Sequence, residues 1–297
     1  MSWRAGAVTV EVPATSANLG PGFDTLGLAL DLTDRVTAQI SEDGTSVTVS
    51  GEGAGEVPTD AGHLIVATML TTFARLGVPA PAGVRLTCEN RIPHARGLGS
   101  SSAAIVAGIL LARALAGRPT DGAQARAEAL ALAAELEGHP DNVAPCLLGG
   151  FTVAWTESTA RAVRMTPADG LQPVVYVPEV RGLTAHARAA LPAQVPYADA
   201  VFNVARVALL VHALTNDPSH LLQATEDRLH QPYRAEGMPG TAALVATLRA
   251  AGVPAVVSGA GPSVLALTGA GVGEALPAPA GWLALPLAWS PEGARIL

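Results

Sequence analysis

The stretch from Pro93 to Ala116 constrains this chain more than any other. A glycine- and serine-rich turn, Pro93-His94-Ala95-Arg96-Gly97-Leu98-Gly99-Ser100-Ser101-Ser102-Ala103, runs directly into an Ala/Leu/Ile-rich segment, Ser100–Ala116. A helix this apolar must be buried, so it marks the centre of the molecule. Its first turn carries N–H groups without intrahelical partners at the positive end of the helix dipole, and Gly97 and Gly99 let other atoms approach the backbone closely. That is a cradle for an anion such as a phosphate group. Serine-rich caps after glycine also occur on helices that bind nothing, and of the two readings the phosphate cradle is the stronger.

Charge limits what else can hold that anion. The chain has 18 Lys+Arg against 25 Asp+Glu, a formal net charge of −7 and no lysine at all, so every fixed positive side chain is arginine. Schiff-base and pyridoxal chemistry, the lysine of Walker-type phosphate loops and the strand lysine of protein kinases all need an ε-amine and are excluded. Interspersed charge of net negative sign also argues against nucleic acid or an anionic membrane as partner. Arg91, His94 and Arg96 flank the glycine loop and concentrate positive charge where a nucleotide would need it.

With 297 residues, 49% of them hydrophobic and 14% charged, the chain can bury one large core or two fused ones. The N-terminus Met1-Ser2-Trp3-Arg4 carries no apolar export signal, and charges or glycines interrupt the apolar stretches before they reach spanning length, so a soluble cytoplasmic protein is expected. Cys88 and Cys146 are too few for a disulfide scaffold and too far apart for a paired metal motif. Strand patterns at Val8–Val12, Arg35–Ile40, Ser46–Ser50, Val84–Glu89, Phe151–Trp155, Pro173–Val177 and Ala255–Ser258 mix with helical patterns at Gly62–Leu76, Asp121–Glu137, Asp199–Leu214, Pro218–Arg228 and Pro239–Ala250. Asp121 is the expected N-cap of the second of these helices and Gly138 its stop. The sum is an α+β protein, with Gly269–Gly281 as a loop.

Three further stretches carry chemistry. Pro13–Asp24 is a polar loop whose two prolines and two glycines fix its shape and present Asn18 and Asp24. In Glu135-Leu136-Glu137-Gly138-His139-Pro140-Asp141-Asn142 acidic residues close a helix, against its dipole, which a bound cation would explain and an exposed helix end would also tolerate. Ser258-Gly259-Ala260-Gly261-Pro262-Ser263 is a glycine loop between apolar runs, weak evidence in isolation.

In this order and spacing the four stretches resemble the GHMP family, named for galactokinase, homoserine kinase, mevalonate kinase and phosphomevalonate kinase. The likeness covers nearly the whole chain. Pro-x-x-x-Gly-Leu-Gly-Ser-Ser marks the family in general, while Pro13–Asp24 and Gly138-His139-Pro140-Asp141-Asn142-Val143-Ala144-Pro145 look like its homoserine kinase branch. The resemblance implies a two-domain α+β fold: residues 1–160 as an ATP-binding domain like ribosomal protein S5 domain 2, with a left-handed β-α-β crossover, and residues 161–297 as a ferredoxin-like domain. It implies ATP phosphates on Pro93, Arg96, Gly97, Leu98, Gly99, Ser100, Ser101, Ser102 and Ala103. Mg2+ then falls to Ser101 and Glu137, with Ser100 and Glu135 as competitors.

For L-homoserine the matching positions are Asn18, Asp24, His139, Asn142, Thr184, Arg188 and Arg234. A zwitterionic amino acid needs guanidinium for its carboxylate and an acid for its ammonium, which suits Arg188 and Arg234 for the first, Asp24 for the second, and leaves Asn142 for the reacting hydroxyl. Asp141 is a candidate base, or a residue that orders the loop. The chain departs from the family at His63, where relatives often carry Asn in the adenine region, and at Leu183, where Ser is common. Mevalonate-type relatives use an early lysine that this chain lacks. A kinase for another small hydroxyl compound and a non-catalytic ligand sensor remain the alternatives, and a homodimer is implied by the resemblance alone.

Overall fold

The computed structural model describes residues 3–182 and 184–297, with the backbone only at Thr184 and Ala185. The first sheet runs β11-β1-β2-β4-β3 and is extended by β5 and β6 along the first half of β2. Its strands are β1 (Val8–Ala17), β2 (Leu26–Ser41), β3 (Ser46–Gly51), β4 (Gly83–Asn90), β5 (Phe151–Thr156), β6 (Ala160–Met165) and β11 (Arg295–Ile296). Every pairing is antiparallel except β3 with β4. A parallel pair needs a crossover, and α1 (Leu64–Arg75) supplies it.

On this sheet lies α2 (Ser100–Leu115), the helix foreseen as central. It buries residues from Ser102 through Leu115 on all sides, with α1 and α3 (Ala123–Glu137) as neighbours. The helix α4 (Pro140–Leu148) follows α3 at once. Gly138, left-handed at φ 90°, ends α3; His139 is extended, and Pro140 occupies the first turn of α4, where its missing N–H costs nothing. Residues 140–142 form the first turn of this helix. Asp121 does not cap α3: Gly122 precedes the helix, and the Asp121 carboxylate accepts from Arg126 Nε at 2.7 Å.

The second sheet, β10-β7-β9-β8, comprises β7 (Leu171–Pro178), β8 (Ala255–Val257), β9 (Val264–Gly269) and β10 (Trp282–Pro286), all antiparallel. Strand alternation splits its residues between two cores. Val174, Tyr176, Val264 and Ala266 pack with Leu244 and Leu248 of α9 (Pro239–Ala250), whereas Val175, Val177, Leu265 and Leu267 join the main core. Between β7 and β8 the chain forms α5 (Thr184–Ala189), α6 (Tyr197–Thr215), α7 (Leu221–Ala224) and α8 (Gln231–Arg234).

The expected boundary at 160 falls inside the β5–β6 hairpin; the change of sheet comes between Met165 and Leu171, and β11 returns the C-terminal end to β1. One apolar stretch does reach spanning length. By length and composition α6 could cross a membrane, although Asp199 and Arg206 on it are ion-paired to Arg228 and Glu226, and Leu210, Ala213 and Leu214 are buried. The helix read at Pro218–Arg228 breaks into a single 3-10 turn and the short α7.

Candidate active site

A cleft of about 250 Å3 gathers the four motif stretches onto one surface. Its walls are the start of α2 with Gly97–Ser101, the α3–α4 junction with Glu137, His139, Asp141 and Asn142, the β1–β2 turn with Asn18 and Asp24, and Arg188, Arg234 and Gly259–Gly261 from beyond β7.

Backbone geometry explains the glycines. Gly97 and Gly99 have φ of 72° and 71°; a Cβ on Gly97 would meet Ser258 O at 2.2 Å, and one on Gly99 would meet Thr15 Oγ1 at 2.0 Å. Both sites therefore exclude side chains on conformational and steric grounds. Ser258 Oγ donates to Gly97 O at 2.7 Å, which ties the weak fourth motif to the first.

At the end of α3, Glu137 Oε1 accepts from Ser101 Oγ at 2.7 Å and Ser102 Oγ at 2.8 Å. Glu135 faces elsewhere: it pairs with Arg75 and borders a separate cavity. The helical spacing of two residues turns the two carboxylates to different sides, and only Glu137 reaches the cradle. A cluster of carboxylate and hydroxyl oxygens is the donor set a hard divalent cation takes, so the residues fit magnesium.

Asp24 and Arg188 meet as a bidentate pair, Arg188 Nη1 donating to Oδ2 at 3.0 Å and Nη2 to Oδ1 at 2.7 Å. The hydrogen bond with Asp24, set against partial desolvation, holds the Arg188 guanidinium above its usual range. Arg234 is 3% exposed. Its Nε donates to Ala187 O at 3.0 Å and its Nη1 to His230 Nδ1 at 3.1 Å and Gly259 O at 3.3 Å. His230 Nε2 donates to Gly20 O at 2.7 Å, so Nδ1 is the unprotonated nitrogen, and burial, with Arg234 beside it and Asp227 opposing, keeps this ring neutral by lowering its pKa. The guanidinium carbons of Arg188 and Arg234 lie 5.7 and 5.3 Å from the Phe23 ring centre, so one aromatic ring attracts both cations.

His139 and Asp141 form a second pair, Nδ1 to Oδ1 at 2.6 Å. Burial pulls the His139 pKa down, but the Asp141 hydrogen bond and charge outweigh it and the net shift is upward. Ligand atoms of Asp24, His139 and Asp141 lie within 4.8 Å of one another. Asp24 is paired with Arg188, and Asp141 is bonded to His139.

Not every candidate residue faces the cleft with free groups. Arg96 spends its guanidinium on three carbonyls, Pro178 O, His94 O and Glu179 O, and so clamps the glycine loop to the end of β7. Burial lowers its pKa, the nearby Arg181 adding to the effect. Asn18 is a tether: Nδ2 donates to Gly259 O at 2.8 Å, and Oδ1 accepts from Asp24 N at 3.0 Å. His63 caps α1 through Nδ1, which accepts from Ile65 N at 3.3 Å, and burial lowers its pKa. The Thr184 side chain and Leu183 lie outside the described residues. Thr15, inside the quoted Pro13–Asp24 stretch but not singled out there, donates to Asn142 Oδ1 at 2.8 Å. An isolated threonine near a strand end carries no signal that could have marked it.

Known proteins resemble this chain. Residues 63–150 match the N-terminal domain of the GHMP kinases, and residues 208–277 match their C-terminal domain. Homoserine kinase of Streptomyces coelicolor is 54% identical over all of this chain and 96% of its own length. The chain belongs to the GHMP kinase family. Homoserine kinase of Clavibacter michiganensis subsp. michiganensis is 55% identical over 88% of this chain and 82% of its own. The crystal structure of homoserine kinase from Cytophaga hutchinsonii, 28% identical, superposes with a TM-score of 0.83 over 98% of this chain and 97% of its own. As a member of the family the chain carries the α+β fold expected of it, and its relatives are phosphotransferases acting on a small molecule.

Proposed function

We propose that this chain transfers the γ-phosphoryl group of ATP to the side-chain hydroxyl of L-homoserine, with magnesium. The observation that carries the reading is one cleft joining an anion cradle at the start of α2 to a receptacle lined by two carboxylates and two arginines of opposite sign. A zwitterion with a short neutral arm can meet both signs of charge in such a receptacle; a sugar or an uncharged alcohol can pair with neither.

In this reading the backbone N–H groups of Gly97–Ala103 bind the ATP phosphates, and Arg96 holds their loop in place. Ser101 and Glu137 would hold the magnesium ion, which when bound neutralises phosphate charge. Asp24, supported by His139 and Asp141, takes the ammonium, Arg188 and Arg234 the carboxylate, and Asn142 the hydroxyl. The hydroxyl oxygen attacks the γ-phosphorus, the bond from that phosphorus to the bridging oxygen breaks, and ADP leaves with the electron pair. Because the transition state is largely dissociative, the hydroxyl proton departs late, to a phosphoryl oxygen. Asp141, committed to His139, orders the junction between α3 and α4. Alignment and charge neutralisation supply the rate.

The same reading takes the division of domains at the change of sheet and places the protein in the cytoplasm, in threonine biosynthesis, as a homodimer. ADP release from ATP should rise on adding homoserine and not on adding mevalonate, shikimate or galactose. Stimulation by one of the others, or ATP binding with no turnover on any of them, would replace the reading with a different kinase or a ligand sensor.

A further inference from the structure

Thr15 is fully buried near the end of β1 and touches both halves of the reaction machinery. Its backbone N–H donates to Leu98 O at 3.1 Å, inside the phosphate loop. Its hydroxyl donates to Asn142 Oδ1 at 2.8 Å, in the first turn of α4. The third member is Gly99: a Cβ there would sit 2.0 Å from Thr15 Oγ1 and 3.2 Å from Asn142 Oδ1. Glycine is thus what allows the hydroxyl, the amide and the loop to meet at one point.

A primary amide can turn over, exchanging its acceptor end for its donor end at little cost unless neighbours distinguish them. In Asn142 the Thr15 hydroxyl holds one end, Oδ1, which is backed by Gly99, and none of the described residues bonds the other, Nδ2. Asn142 lines the cleft.

We propose that Thr15 is a positioning residue for phosphoryl transfer. It locks the Asn142 amide with its N–H end toward the acceptor hydroxyl and fixes the separation between that amide and the phosphate loop. The inference rests on the reading of Asn142 as the hydroxyl's partner. Thr15 itself touches neither substrate. Valine at position 15 keeps the shape and removes the hydroxyl; serine keeps the hydroxyl and removes the methyl group.

The test is steady-state kinetics on Thr15→Val, Thr15→Ser, Asn142→Ala and the Thr15→Val/Asn142→Ala double variant, with melting temperatures for each. Thr15→Val should lower kcat roughly 10- to 100-fold with either KM moving less than about threefold, because a misaligned hydroxyl costs rate more than affinity. Thr15→Ser should recover most of that loss. On the Asn142→Ala background Thr15→Val should cost nothing further, since its only route of action has gone. Losses that multiply in the double variant, a serine variant as slow as the valine one, or unchanged kcat in Thr15→Val while Asn142→Ala is impaired would each overturn the role of Thr15. An Asn142→Ala enzyme as fast as the parent would instead overturn the reading of Asn142, and this inference with it.

Discussion

Arg188 grips Asp24 with both Nη atoms, at 3.0 and 2.7 Å, so the two side chains assigned to opposite ends of a zwitterion are each other's partner. On the proposed assignment, homoserine would exchange one ion pair for two. The net gain is the difference between a partly exposed pair and two pairs closed off from water.

Asp24→Asn should raise the homoserine KM roughly 10- to 100-fold, as expected for a charge-assisted contact worth about 1.5–3 kcal/mol. The ATP KM should hardly move. A charge swap, Asp24→Arg with Arg188→Asp, restores the pair without restoring the site, so homoserine KM should stay high. Recovery of normal KM in the swap would make the pair a scaffold rather than a receptacle.

Glu137→Gln should lower turnover at least about 100-fold and raise the magnesium concentration needed for half-maximal rate, because the cation loses its charged protein ligand. Glu135→Gln is the matched control: its carboxylate holds Arg75 on an exposed face and should leave both quantities near the parent's. Magnesium titrations of the two variants decide between them, and the reverse order would exchange the assignments.

Arg234→Leu should do two things. It should weaken homoserine binding, and it should destabilise the fold, since Ala187 O, His230 Nδ1 and Gly259 O all lose a buried donor. Leaving a buried acceptor without its donor costs about 1–3 kcal/mol. Thermal melts should show the loss without any ligand, and kinetics well below the new Tm should still show a raised homoserine KM. A normal KM there would leave Arg234 a scaffold residue only.

The His139–Asp141 pair sets a pH dependence. Burial disfavours the imidazolium, yet the hydrogen bond and charge of Asp141 prevail and the folded-state pKa stands above the ordinary histidine value. Its stabilisation is then complete below the unfolded pKa of about 6.5 and fades as pH rises through the folded value. The Tm difference between the parent and His139→Gln should be largest in mildly acid buffer and shrink toward alkaline pH. A difference that grew with pH would reverse the sign of the shift.

Much of this site could be read along the chain because its parts are local. The glycine loop, the helix it opens and the Gly138 stop are each written in a few consecutive residues, whose dihedral demands do not depend on the rest of the molecule. The absence of lysine excluded whole chemistries without any structure. The same locality explains where the structure differs: β1 runs on to Ala17 through Pro13, and α4 continues through Pro145, because pairing with β2 and packing on the core outweigh local proline preferences.

What the linear sequence determined is the inventory of groups and the bends that present them; what only the tertiary structure decided is which groups face one another and which are already spent. Glu135 and Glu137 are equivalent in sequence and differ because helical geometry turns one to Arg75 and the other to Ser101 and Ser102. Arg96 and Arg188 are both plausible anion ligands by type, yet three carbonyls occupy Arg96 while Arg188 holds an acid in the cleft. Thr15 reaches Asn142 across 127 positions of chain. Hydrogen bonds and charge pairing act over a few ångströms of space, so only the fold that closes those distances assigns them.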